Sequence, residues 1–283
     1  MKRILIPTDF SDNAWNAILY AIELFHHIPC EFYILNVYTL TSTSLVTTIS
    51  SQKVGQMYDT VKKESKKGLV SIQENLKNSK VYSHHHFISV SKQGEPVDEI
   101  RQFVIEKRMD LIIMGTQGAT GAKAIFLGSV THKVVKTIKS CPVLVIPQGF
   151  YFDRLKAVGF ATNFKRIFYK SEIDPIISLA NMYGGIIRMI EIYKEPSLSP
   201  TQNYNANSLE HYFKNKPHEF HVLPDFDTIE KGIQAFIEEL EIDMLVMINY
   251  QHSFIERLTR EPVIKKMVFR TKVPLMVIPA DEY

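Results

Sequence analysis

Two strand-sized segments of this chain occur twice. Asp110 to Gly115 (DLIIMG) returns as Asp243 to Ile248 (DMLVMI), and Pro142 to Pro147 (PVLVIP) returns as Pro274 to Pro279 (PLMVIP). Ahead of the second set, Leu155 to Thr162 echoes the opening strand Arg3 to Thr8, and Gly185 to Tyr193 echoes Glu31 to Tyr38. A repeat on this scale predicts two copies of one structural unit. At 283 residues the chain is long enough for two domains that each bury a core. The copies are expected to span 1–148 and 149–283. Gln148 to Arg154 is too short a junction to act as a free linker, so the domains are expected to pack together.

The repeated segments are apolar at consecutive positions, as in Leu111, Ile112, Ile113 and Met114. A strand with no polar face is most simply buried on both sides, in a parallel sheet. Between strands the apolar spacing turns helical. Ala14, Ile18, Ala21, Ile22 and Phe25 follow a Ser11 cap, and Val97, Ile100, Val104 and Ile105 follow the turn Gly94-Glu95-Pro96. Val130, Val134, Val135 and Ile138 line a helix opening at Gly128. A Ser/Thr-rich loop over 39–51 precedes a mostly polar helix over about 53–76, and a third strand is expected over 82–90. The counterpart of that long helix in the second copy, within Lys194 to His218, is predicted to be short.

Strands alternating with helices give an α/β fold class: two tandem doubly wound, Rossmann-like domains, each a five-stranded parallel sheet. In the order 3-2-1-4-5 the winding reverses between strands 1 and 4. Open α/β sheets take ligands in the crevice at that reversal, beyond the strands' carboxyl ends. Asp9, at the end of strand 1, and Gly115, after strand 4, would share that crevice.

The stretch from Gly115 to Ser129 (GTQGATGAKAIFLGS) has the parts of a phosphate cradle. Gly115, Gly118 and Gly121 let backbone N–H groups approach a ligand. Gly128 and Ser129 open a helix whose first amides lack intrahelical partners and whose end carries roughly half a positive charge. The loop has neither the Gly-Lys-Ser/Thr of a P-loop nor the G-x-G-x-x-G of a dinucleotide site. It reads Gly115-x-x-Gly118, nine residues, then Gly128-Ser129.

That spacing resembles the ATP-binding signature of the universal stress protein family. The resemblance extends to ILIPTDFS at the first strand, GEPVDEI at the third helix and PVLVIP at the last strand. It implies a fold of the adenine nucleotide alpha hydrolase kind and ATP, or a related adenine nucleotide, as ligand, with Mg²⁺ or Mn²⁺ as candidate metals. By the same resemblance Gly115, Gly118, Gly128 and Ser129 hold the phosphates and Asp9 contacts ribose or a metal-bound phosphate. Val37 lies near adenine, and Met114 and Val130 complete the set. Lys123 is a candidate phosphate partner, although loop lysines are commonly just solvated. Asp9 also suits a purely structural role, capping the turn into the first helix.

The second copy lacks these parts. Asn163 stands for Asp9, Ile248 for Gly115, Gln251 for Gly118, and Glu261-Pro262 for Gly128-Ser129. Side chains replace open backbone, Pro262 has no N–H to donate, and Glu261 would repel an anion. Arg257 and Arg260 in the replaced loop could bind some other anion, but they read first as a surface ion-pair region.

A 45% hydrophobic and 22% charged composition is that of a globular chain, and a net charge of +3 spread along it argues against nucleic acid. No apolar run approaches the ~20 residues of a membrane span, and Met1-Lys2-Arg3 leads directly into a strand, so a cytoplasmic location is expected. Cys30 and Cys141 fall on strands about 14 Å apart in the expected order and should be free thiols. His84, His85 and His86 would alternate faces on a strand and so not converge on a metal. His26-His27 suits a helix C-terminus.

The expected function is a nucleotide-dependent stress-response binding or signalling module. A slow metal-dependent ATPase or phosphotransferase centred on Asp9 is the first alternative, and a scaffold binding another small ligand in the second domain is the next. The adenylate-forming relatives carry a glycine-serine loop after strand 1, where this chain has PTDFSD. Apolar closing strands, Val143 to Ile146 and Leu275 to Ile278, are expected at sheet edges open to pairing. The resemblance implies that they pair with each other and so join the two domains, with a further homodimer left open.

Overall fold

The computed structural model describes residues 1–40, 51–77, 84–116, 128–191, 198–222, 229–249 and 272–281. They divide into two compact units, the first ending at Val143 and the second beginning at Leu144. The expected boundary was at 148/149.

In the first unit β1 (Lys2–Pro7) leads through a turn to α1 (Asp12–Leu24), then β2 (Cys30–Tyr38), α2 (Ser51–Lys77), β3 (His86–Gln93), α3 (Pro96–Lys107), β4 (Leu111–Gly115) and α4 (Ser129–Thr137). The strands run β3-β2-β1-β4, all parallel. β5 (Val143–Ile146) lies at the boundary, and Pro142, leading into it, accepts from the Ile112 N–H at 3.0 Å. The core is the sheet's apolar body, with Ile4, Leu5, Ile6, Phe32, Ile34, Ile112 and Ile113 fully buried. Two of the unit's helices have a clear local cause. Ser11 caps α1 by accepting from Ala14 N, and α3 starts with Pro96 in its first turn and ends on Arg108 at φ 51°.

In the second unit β6 (Ala157–Thr162), α5 (Lys170–Tyr183), β7 (Ile186–Glu191), α6 (Pro200–Phe213), β8 (His218–Val222), α7 (Ile229–Glu239), β9 (Met244–Asn249) and β10 (Leu275–Pro279) follow in turn. The order is β10-β9-β6-β7-β8, again all parallel. Registers correspond between units. Ile4 faces Leu111 as Val158 faces Met244, and Leu245 N–H bonds Pro274 O at 2.9 Å as Ile112 bonds Pro142. These registers put Asn163 at the place of Asp9 and Ile248 at that of Gly115. α6 has 14 residues where α2 has 27, which makes the second copy shorter in this region.

Two expectations need correcting. β3 begins and ends later than the 82–90 expected, because the polar Lys92 and Gln93 pair with Val37 and Tyr38 of β2. An outermost strand tolerates polar residues that read as loop in the sequence. The histidine run does not alternate along a strand either: His84 is in a turn and His85 precedes β3, with ring centroids 4.0 Å apart. Among the described residues no group of three His, Cys, Asp or Glu side chains is placed to hold a metal ion. Both cysteines are free and buried, and burial pushes the thiol of Cys30 up to about 11 and that of Cys141 to about 12.

His85 is buried beside Phe32, and neither of its ring nitrogens has a hydrogen-bond partner among the described residues. Burial first, then the neighbouring His84 and His26, lower its pKa from 6.5 to about 4. The folded chain therefore binds this proton less readily than the unfolded chain. The stability tied to neutral His85 is complete above about pH 6.5 and is lost as pH falls toward 4, on the order of 2–3 kcal/mol in all. Melting across that window should show the loss, and His85→Phe should flatten it. An unaltered acid limb in the variant would refute this assignment.

Candidate functional site

The winding of the first unit reverses between β1 and β4, and the residues at the carboxyl ends of those strands are held by a set of local bonds. Thr8 N–H donates to Leu35 O at 2.8 Å, continuing the sheet one residue past β1. The chain then turns through Phe10, at φ 66°, whose N–H donates to Thr8 Oγ1. Asp9 Oδ1 accepts from Ser11 N–H at 3.1 Å and from Ser11 Oγ at 2.6 Å. Asp9 thus has the structural role of closing the turn into α1 while its carboxylate remains exposed at the strand end.

Across the reversal, β4 ends in buried Met114 and Gly115. Gly115 O accepts from Thr131 Oγ1 at 2.9 Å, Thr116 O accepts from Gly128 N–H at 2.5 Å, and Asn13 Nδ2 donates to Thr116 Oγ1 at 3.5 Å. The two stems of the glycine loop are therefore tied to each other and to α1. Gly118, Gly121 and Lys123 lie outside the described residues. A Cβ on Gly115 would come within 2.5 Å of Asn13 Nδ2 and 3.0 Å of Asn13 O. The glycine at 115 thus makes room for α1.

These ends enclose a cleft of about 320 Å³, within the size range of small-molecule sites. Asp9, Val37, Met114, Gly115, Gly128, Ser129 and Val130 all line it. Gly128 caps α4, whose first turn carries no acidic residue, so the amides of Ser129 and Val130 present the positive end of a helix dipole. Leu35, Val37, Pro96 and Ile100 add apolar lining. The lining thus combines backbone amides at a helix start with apolar side chains. Sequence reasoning missed Pro7, Thr8, Ala14, Leu35, Pro96, Ile100 and Thr131. Thr131 was findable as a hydroxyl in the first turn of α4, and Pro96 as the proline of GEPVDEI.

The second unit repeats the turn with different contents. Phe164 sits at φ 53°, with its N–H on Thr162 Oγ1, and Asn163 Oδ1 accepts from Lys165 N–H at 3.2 Å. α5, however, starts at Lys170, six residues past Phe164, whereas α1 starts two past Phe10. The inserted segment carries Arg166 onto Glu172 at 2.6 Å and buries Phe168. Gln202 and Asn205 of α6 donate to the carbonyls of Asn163 and Phe164, holding the turn from the other side. Ile248 is buried where the first unit has Gly115. Gln251, Arg257, Arg260, Glu261 and Pro262 lie outside the described residues.

A parallel α/β sheet with helices between its strands and a cleft at the winding reversal is a Rossmann-like architecture. Within that class, the profile of the universal stress protein family matches residues 1–147, and the chain belongs to that family. It is 32% identical over 147 residues to a universal stress protein of Methanocaldococcus jannaschii, covering 52% of this chain and 82% of the relative. It is 32% identical over 151 residues to universal stress protein YxiE of Bacillus subtilis, covering 51% of this chain and 98% of the relative. A universal stress protein structure from Archaeoglobus fulgidus superposes with a TM-score of 0.69 at 19% identity, over 99% of this chain and 97% of that one. A protein of unknown function from Pseudomonas aeruginosa gives 0.61 at 11% identity, over 99% and 93%. The two structures speak for the fold. No described helix is long and apolar enough to cross a membrane.

Proposed function

We propose that this chain is a tandem of universal stress protein domains whose first domain binds ATP, or a related adenine nucleotide, while the second has lost the site. Occupancy of the first domain would serve a stress-response binding or signalling role. The observation that carries the reading is the meeting of Asp9, Val37, Met114, Gly115, Gly128, Ser129 and Val130 around one cleft at the winding reversal. Phosphates fit the amides at the start of α4, and the base fits the apolar wall of Val37, Leu35 and Ile100. Mg²⁺ or Mn²⁺ suits the hard oxygen donors Asp9 and Ser129 and would neutralise phosphate charge there.

Titration calorimetry with ATP on ligand-free chain, with Mg²⁺ or Mn²⁺ present, should give a stoichiometry near one. A value near two would show that Ile248, Gln251, Glu261 and Pro262 tolerate phosphate after all, and no binding would overturn the reading. Hydrolysis should be slow at most, because Asp9 is the cleft's sole ionisable side chain among the described residues and its Oδ1 is engaged by Ser11. Phosphate release near the ~1–100 s⁻¹ of kinases, abolished by Asp9→Ala, would instead make the chain an ATPase or phosphotransferase.

A further inference from the structure

We propose that β8 of the second unit is a homodimerisation edge, pairing antiparallel with β8 of a second copy about a two-fold axis through Phe220. Among the described residues β8 has one strand neighbour, β7, and it ends that side of the sheet. Ile187 faces His218, and Ile187 N–H donates to Pro217 O at 2.9 Å. In a parallel ladder, alternate residues of a strand point both backbone groups to the same side. Residues 217, 219 and 221 therefore serve β7, and the N–H and C=O of 218, 220 and 222 point away from it.

Edges of this kind are commonly blunted by shortness and by charge, and β8 is five residues long with Glu219 among them. The order of its side chains removes that protection for one partner, another copy of itself. When two HEFHV strands are set antiparallel about Phe220, residue 220 faces 220, 218 faces 222, and 219 faces 221. Residues 218, 220 and 222 each then donate and accept once across the axis, which uses every outward backbone group. The intervening non-hydrogen-bonded pairs bring side chains closest, and there a Glu219 carboxylate meets a His221 imidazole twice, once on each side of the axis.

The geometry of one copy already suits this contact. Glu219 and His221 lie on one face with Nε2 and Oε2 3.3 Å apart, and Arg188 Nε reaches the same Glu219 oxygen at 3.1 Å. Phe220 is on the other face against Phe164, with ring centroids 5.6 Å apart, and 38% of it is exposed. A two-fold partner would cover that ring with its own Phe220. An unrelated strand would match neither the alternating charge nor the aromatic, and an isologous contact closes at two copies.

The test is sedimentation of the full chain at about 100 µM, where a micromolar contact is mostly occupied. The expected result is a dimer. Phe220→Pro removes an outward N–H that β7 does not use, together with the ring that packs on Phe164, and it should weaken dimerisation at least tenfold. Glu219→Lys should do the same, because a lysine offers His221 no acceptor, and adding His221→Glu should restore the dimer. Circular dichroism and a melt confirm that each variant folds. If Phe220→Pro does not fold, the loss and rescue at 219 and 221 still decide the matter. A wild-type chain that stays monomeric at that concentration, which would leave β8 to a strand of another protein, overturns the proposal. So does a dimer that neither Phe220→Pro nor Glu219→Lys weakens.

Discussion

Replacing Glu172 by alanine is expected to destabilise the second unit by about 3–5 kcal/mol, the cost of removing one member of a buried, hydrogen-bonded ion pair. Glu172 is 1% exposed. Its Oε1 accepts from Arg166 Nη2 at 2.6 Å and from Asp281 N–H at 2.9 Å, and its Oε2 accepts from Tyr169 N–H at 2.9 Å. One carboxylate therefore ties together the inserted segment after β6, the start of α5 and the chain just past β10. Alanine would take the carboxylate away from a guanidinium that is 17% exposed and from two backbone amides. Glu172→Gln retains one acceptor oxygen and should lose less. Denaturant unfolding measures both, and a loss under ~1 kcal/mol for alanine would mean that the pair behaves as an exposed one.

That knot was invisible in the sequence, and the reason is general to what this chain revealed and hid. The repeated apolar strands, the Ser11 cap and the Pro96 helix start were legible because each depends on neighbours a few residues away. The convergence of Asp9 on Gly115 was legible at one remove, through strand order. Contacts such as Asn13 against Gly115, or Asp281 on Glu172, join residues about a hundred positions apart and leave no local pattern. They change meanings as well as adding detail. Gly115 read as a ligand glycine, and its missing side chain also makes room for α1. The second unit, with Ile248 in that place, begins its helix four residues later along the equivalent turn. The histidine run misled for the opposite reason. Alternation holds only inside a strand, and β3 begins at His86.

The contrast between two glycines of the cleft gives the sharpest expectation for binding. Gly128 caps α4 at φ −57° and ψ 153°, an extended conformation open to any residue, so its backbone does not call for glycine. If the cleft holds phosphates against the amides that follow, a valine there puts methyl groups where oxygen atoms belong. Gly128→Val should therefore weaken ATP binding by about 100-fold or more, equivalent to about 2.7 kcal/mol, with little change in melting temperature. Gly115→Ala should behave differently, because its new methyl group meets Asn13 side-chain and backbone atoms at 2.5–3.0 Å. Forcing α1 outward should cost about 1–3 kcal/mol of stability whether or not nucleotide is present. Calorimetric titration and thermal melts on the two variants separate the roles. A Gly128→Val chain that melts normally and binds ATP as tightly as wild type would remove the phosphates from the start of α4, and with them the assignment of this cleft.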